Sequence, residues 1–218
     1  MKPLFIIPAR MGSTRIPDKN VRLLYGKSPL RRAIACCRDI PGGIILVTAN
    51  WGKEEFADGV YWHRVDAPLH TDTCSMVDVV LDVLNKFPGD EEQPVLLVQP
   101  TQPLRRPEHL RHALTLLESH PSIASLVKVE TAHKLYFYID THLYPVLEDP
   151  VERTQLGQQT FACDGTVYGF HRKWFLQHCS FRHTDTMPFV VPPDETCRLD
   201  TPQDWLIAGL LLEHRGKG

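Results

Sequence analysis

The chain of 218 residues has little net charge, few long apolar runs and no regularly spaced cysteines. Its 24 Lys and Arg against 26 Asp and Glu leave a formal charge of −2, which excludes the broad basic footprint of a general nucleic-acid binder. No stretch approaches the roughly 18 apolar residues of a membrane span. The opening MKPLFIIP is too short an apolar run for a secretory signal, and Arg10 follows at once. The six cysteines, Cys36, Cys37, Cys74, Cys163, Cys179 and Cys197, form no CxxC pair, so free thiols in a cytoplasm are expected. Glycine-rich phosphate loops are missing too. Gly26-Lys27-Ser28 ends like a P-loop, but Val21 stands where that motif needs its first glycine, and no GxGxxG follows the first apolar run. His109 and His112 share a helix face without further ligands at metal spacing, and are read as a solvated face.

What is present is an ordinary globular composition, 43% hydrophobic and 23% charged, enough for a core. Strand and helix patterns alternate through the first 130 residues. Apolar or β-branched runs at 3–7, 43–49, 60–65, 94–100 and 122–129 read as strands. Amphipathic stretches at 28–39, 73–87 and 107–120 read as helices, and 51–58 as a short helix or loop. That order predicts a mostly parallel sheet with helices on both faces. Residues 131–160 break the rhythm with a hairpin and a polar, proline-punctuated excursion, read as an extension within a single domain spanning 1–218. Strands at 161–172 and 188–193 follow, with Gly165 and Gly169 marking turns or close backbone approach. The closing helix, 201–214, has Thr201 as its cap and Pro202 at its first position.

The first loop is where charge concentrates. In FIIPARMGSTRIPDKN (5–20), an apolar strand runs into Gly12, the hydroxyls of Ser13 and Thr14, and the cations Arg10, Arg15 and Lys19. Ligands of parallel α/β sheets bind beyond the carboxyl ends of the strands. Glycine there lets the backbone approach a ligand, hydroxyls donate, and the cations neutralise a polyphosphate.

The same stretch resembles the opening signature of the sugar-acid cytidylyltransferases, which make CMP-sialic acid and CMP-Kdo. The sialic-acid branch reads I-P-A-R-x-G-S-K, then K-N; here IPAR, GS and Lys19-Asn20 match. Thr14-Arg15 is closer to the S-T-R of the Kdo branch. VLLVQPTQPLR (95–105) is similar to L-Q-P-T-S-P-L-R, and HTDTCSMVDVVLDVL (70–84) to D-T-x-S-x-x-D-V-L-L. LDTPQDW (199–205) is similar to D-T-P-E-D, while DPVERTQL and DGTVYGFHR stand where that branch has R-x-Q-x-L and N-G-A-I-Y.

The resemblance implies a Rossmann-like domain whose β-hairpin extension, within 131–160, serves a homodimer. It implies CTP and a keto-sugar acid, such as sialic, legionaminic or pseudaminic acid, as substrates, and Mg²⁺ as the divalent cofactor. Arg10, Lys19 and Asp200 are the implied catalytic residues. Ala9, Arg10, Gly12, Ser13, Arg15, Lys19, Asn20 and Ser75 are the implied nucleotide-binding set, and Gln99, Arg105, Arg153 and Gln155 the sugar-side set. Arg105 is read equally as support for its own loop. Asp200, a hard oxygen donor, is the implied metal ligand.

The chain also departs from the family pattern. Arg198 stands where the sialic-acid branch has the first carboxylate of D-x-D-T-P, and Thr101 where the Kdo branch has an aspartate. Asp194 and Glu195 are alternative metal donors, and Arg198 an alternative phosphate partner. Tyr138 replaces a hairpin lysine, and Val65, with Arg64 adjacent, stands at an arginine position. Two other readings remain open: a nucleotidyltransferase for another nucleotide or sugar, and a weakly catalytic or non-catalytic paralogue that binds nucleotide.

Overall fold

The computed structural model describes residues 1–52, 58–71, 73–129, 136–139, 142–145 and 160–216. The apolar run after Pro3 forms the central strand β1 (Leu4–Pro8), whose Leu4, Phe5, Ile6 and Ile7 are all fully buried. Burial on both faces is what a continuous apolar run encodes, because successive side chains point to opposite sides. Phe5 and Ile7 enter one core together with α1 (Pro29–Arg38) and α3 (Pro107–Leu117). Leu4 and Ile6 enter the other with α2 (Met76–Lys86) and α4 (Arg172–His178). Each such side chain contributes about 1.5–3 kcal/mol relative to exposure, and two helix layers on one sheet result.

The remaining strands are β2 (Ile44–Ala49), β3 (Tyr61–Arg64), β4 (Pro94–Leu97), β5 (Ser122–Val129), β8 (Thr160–His171) and β9 (Met187–Val190). The seven-stranded sheet runs β3-β2-β1-β4-β8-β5-β9. Only β8 is antiparallel to its neighbours, with Leu96 opposite Gly169 and Ile123 opposite the same glycine. A Cβ on Gly169 would meet Leu96 Cδ2 at 2.6 Å and Ile123 Cγ1 at 2.8 Å, so close approach is the reason for that glycine. Gly165 has φ +77°, beside the register shift between Ala124 and Leu126. A separate two-stranded sheet pairs β6 (Tyr136–Ile139) with β7 (His142–Pro145). The hairpin expected in 131–160 is therefore present; the rest of that excursion, with Arg153 and Gln155, lies outside the described residues, as does most of 51–58.

Among the described residues, the structure differs from the sequence expectations most clearly in three elements. The strands at 94–100 and 188–193 end early, at Leu97 and Val190, with a single 3-10 turn over Pro193–Glu195 after the second, although Val98 N still donates to Ile6 O at 2.8 Å. α4 was not anticipated: RKWFLQH follows β8 with no side-chain cap and no turn residue. The would-be P-loop is a tight turn, with Gly26 at φ +76° and Ser28 Oγ accepting from Arg31 N as the cap of α1. Among the described residues no helix is long and apolar enough to cross a membrane.

Candidate active site

Three loops meet beyond the carboxyl ends of β1 and β4, and Leu199 joins them. Its N–H donates to Thr101 O at 2.9 Å, and its own carbonyl accepts from Lys19 Nζ at 3.0 Å. Leu199 is fully buried in a small core with Leu24, Leu104, Ala208 and Leu212, where α5 (Pro202–Gly216) docks. Thr201 Oγ1 accepts from Asp204 N at 3.2 Å, so Thr201 caps α5 as expected. Asp204 answers by accepting from Thr201 N at 2.7 Å and Asp200 N at 3.0 Å, a reciprocal cap that fixes the backbone of Asp200.

Neutral groups hold the first loop. Ala9 N donates to Thr48 O at 2.8 Å, and Trp51 Nε1 donates to Ala9 O at 2.6 Å. Met11 N donates to Asn50 Oδ1 at 2.8 Å, and buried Asn20 donates from Nδ2 to Arg10 O at 2.8 Å. Gly12 takes φ +90° with nothing within 4 Å of a Cβ, so its reason is backbone conformation rather than crowding.

The loops enclose a cavity of about 200 Å³. Arg10, Ser13, Lys19, Asn20, Gln99, Thr101, Arg198 and Asp200 supply its polar wall, and Val65, Leu69, Met76 and Val79 an apolar one. Three cations thus face one carboxylate. Arg198 Nε lies 2.6 Å from Asp200 Oδ2, and Arg15 Nη2 lies 3.7 Å from Asp200 Oδ1. The Lys19 ammonium is held below its usual pKa mainly by burial; Asp200 opposes that fall, and Arg15, Arg10 and Arg198 add to it. Such crowding of positive charge is unfavourable until an anion arrives.

A second cavity, about 170 Å³, shares Met76, Gln99 and Arg198 with the first. It adds Asp164, Gly165, Tyr168, Phe181 and Arg182. Burial raises the Tyr168 phenol above its ordinary pKa, with Arg182 and Arg198 pulling against that rise. Asp164 is already satisfied: Ser125 Oγ donates to its Oδ1 at 2.5 Å, Thr166 N donates at 3.2 Å, and Thr166 Oγ1 donates to its Oδ2.

Most of the anticipated residues therefore converge. Arg10, Ser13, Lys19, Asn20, Gln99 and Asp200 line the first cavity, Ala9 and Gly12 shape its loop, and Arg15 reaches Asp200. Ser75 lines neither cavity; it caps α2, its Oγ accepting from Asp78 N at 3.1 Å, one residue before Met76. Arg105 is buried and also lines neither. Its guanidinium donates to Thr166 O, and to Gln99 O at 2.6 Å, so it holds the loop that presents Gln99.

Two expectations about charge need correction. Glu195 is not available to a metal, being paired with Arg106 and accepting from His109 Nε2 at 2.8 Å. His109 is not on a solvated face: it is 8% exposed, and burial, with Arg106 and Arg105 nearby, lowers its pKa to about 4. Its Nδ1 accepts from Arg106 N at 3.2 Å, which requires the neutral ring. The sequence reading missed Tyr168, Phe181 and Arg182. The loop holding the last two carries no recognisable motif, so nothing in the sequence marked them.

A cationic loop after the first strand of a mostly parallel sheet, beside one carboxylate, gives this Rossmann-like domain a cavity suited to an anionic ligand. The family model described as cytidylyltransferase matches residues 4–138, and the chain belongs to the cytidylyltransferase family. A relative from Legionella pneumophila subsp. pneumophila (strain Philadelphia 1), named CMP-N,N'-diacetyllegionaminic acid synthase, is 30% identical over 98% of this chain and 97% of its own length. An N-acylneuraminate cytidylyltransferase of Streptococcus agalactiae serotype V is 27% identical over 94% of this chain, which spans only 52% of that longer protein. Among solved structures, CMP:2-keto-3-deoxy-manno-octonic acid synthetase complexed with CTP superposes with a TM-score of 0.70 at 15% identity, covering 99% of this chain and all of that one. The Francisella tularensis 2-C-methyl-D-erythritol 4-phosphate cytidylyltransferase gives 0.70 at 14% identity, over 97% of this chain and 100% of that one. At those identities the superpositions speak for the fold.

Proposed function

We propose that the protein activates a nonulosonic or related keto-sugar acid with CTP, giving the CMP-sugar and pyrophosphate. The observation that carries this reading is the cavity wall in which Arg10, Lys19 and Arg198 face a single carboxylate, Asp200. Near-full-length identity of 30% to a protein named as a CMP-diacetyllegionaminic acid synthase supports the substrate class.

In this reading the triphosphate lies against Arg10, Ser13, Arg15 and Lys19, and the base and ribose lie toward the apolar wall. The acid occupies the second cavity, with Gln99 and Arg198 at the shared wall; Arg153 and Gln155 are sugar-side residues by the resemblance alone. The acceptor's anomeric hydroxyl attacks the α-phosphorus and its proton passes to solvent. The new O–P bond forms as the α–β anhydride breaks, and pyrophosphate leaves with the electron pair. No covalent nucleophile on the protein is needed. Positioning and charge neutralisation by the loop cations supply the catalysis.

The donor set fits a divalent magnesium ion, since one carboxylate, phosphate oxygens and water suffice for it. Asp200 would hold the ion, which when bound draws charge from the phosphate oxygens. Arg198, released from Asp200, would then pair with phosphate.

The hairpin β6–β7 stands apart from the main sheet. A two-stranded sheet is marginal alone in water, so a second copy is its proposed cover, giving a homodimer. All six cysteines are free thiols, which suits a reducing cytoplasm.

One observation favours a second reading, a nucleotide-binding paralogue with little turnover: Arg198 occupies Asp200 where the family has another carboxylate. Pyrophosphate release from CTP and Mg²⁺ with sialic, legionaminic, pseudaminic and Kdo acids separates the two. Release with one acid is expected. CTP binding without release for any acid, together with activity gained in Arg198→Asp, would favour the paralogue.

A further inference from the structure

α4 ends at His178, and Cys179, in the left-handed region at φ 45°, turns the chain back. The returning loop is self-braced. Arg182 N donates to Ser180 Oγ at 3.1 Å, and His183 N donates to Thr186 Oγ1 at 2.9 Å. It lays His183 and Asp185 against the end of the helix. His178 and His183 have ring centroids 4.6 Å apart, and one ligand atom from each of His178, His183 and Asp185 lies within 4.8 Å of the others.

Their remaining atoms are already engaged in the way metal ligands are oriented. His178 Nδ1 is 2.8 Å from Trp174 O, so that nitrogen carries the proton and Nε2 keeps its lone pair. Asp185 Oδ2 accepts from Trp174 Nε1 at 3.0 Å, leaving Oδ1 beside His183 Nδ1 at 2.8 Å. Backbone carbonyls and ring N–H groups behind the ligands are the usual supports of imidazole and carboxylate donors.

We propose that His178, His183 and Asp185 bind a divalent transition-metal ion of the zinc type, apart from the nucleotide cavity. Imidazole nitrogens with one carboxylate suit such ions and not magnesium, which prefers oxygen donors. The ion takes the place of the proton between His183 Nδ1 and Asp185 Oδ1; the neutral ring takes up a proton at Nε2 through solvent, which leaves the Nδ1 lone pair to ligate, and water fills the remaining positions. His183 and Asp185 side chains are 45% and 44% exposed, so the ion enters directly from solvent. Ligand atoms of one tetrahedral zinc sit about 3–3.5 Å apart, so the three, now within 4.8 Å of one another, would draw together on binding. The bound ion fastens the loop that brings Phe181 and Arg182 to the second cavity.

The test is metal titration of the full chain, stripped with a chelator and free of nucleotide. Cobalt(II) should give a visible d–d band saturating at one ion per chain, and zinc should displace it. Excess magnesium should not. His183→Asn and Asp185→Asn should each weaken zinc binding by about tenfold or more, while His120→Asn, on a histidine beyond the end of α3, should not. Zinc should raise the melting temperature of the wild type and not of His183→Asn. His183 is exposed, and Asp185→Asn keeps an amide oxygen for Trp174 Nε1, so metal-free melting should change little, which separates lost binding from lost folding. Absence of the cobalt band, or zinc binding equal to wild type in both variants, would overturn the site.

Discussion

The loops that follow β1 and β4 use arginine in opposite ways. In the first, neutral Asn50, Trp51 and Asn20 hold the backbone, so Arg10 and Arg15 keep their charge directed at a cavity or its rim, while Lys19 lines the cavity and also donates to Leu199 O. In the second, Arg105 is only 8% exposed and donates to the carbonyls of Gln99 and Thr166. In the proposed reading one loop is completed by an anion, while the other is complete in itself, and burial rather than residue type separates the two uses of arginine.

The largest effect expected on that contrast is at Asp200. Asp200→Ala should lower turnover by about 10³-fold or more, since losing the proposed metal ligand would remove several kcal/mol of transition-state stabilisation. Steady-state pyrophosphate release measures it, with an unchanged melting temperature as the control. Lys19→Ala should weaken CTP binding by roughly 10- to 100-fold, the size of a lost charge-assisted hydrogen bond, read by calorimetric titration. Arg105→Ala should instead lower stability by about 2–4 kcal/mol, because two carbonyls lose their donor inside the protein; urea unfolding checks this. If Arg105→Ala left stability intact and only weakened substrate binding, the contrast between the loops would fail.

Acid should act on the second region as well. His109, with a folded pKa near 4 against an ordinary 6.5, binds fewer protons folded than unfolded between those values. Stability therefore falls as pH drops from about 6.5 to about 4, by of order 1–3 kcal/mol. His109→Gln should flatten that part of the profile, measured by urea midpoints across pH. Arg15→Ala, with 66% of its side chain exposed, should change stability by no more than about 0.5 kcal/mol.

The sequence made the first loop legible because strand, glycine, hydroxyls and cations follow one another within a single short stretch. It made the layered sheet legible too, since β1, β2 and β4 are continuous apolar runs. The direction of β8 was not legible. An alternating pattern encodes which face is buried, and says nothing of whether the neighbours run parallel. α4 was missed because neither a cap nor a turn residue announces it. Arg105 and Arg198 look alike as letters, and only the packing of Thr166 and Gln99 around one of them separates their duties. Arg182 reaches the second cavity through a fold-back after α4 that no local motif encodes.

The central claim is that the cations after β1 hold the phosphates of a nucleoside triphosphate. Titrating CTP and CMP into wild type and Lys19→Ala, in the presence of magnesium, tests it most directly. The account predicts that CTP binds wild type far more tightly than CMP, and that Lys19→Ala removes most of that difference. Equal affinity for CTP and CMP in the wild type would contradict it.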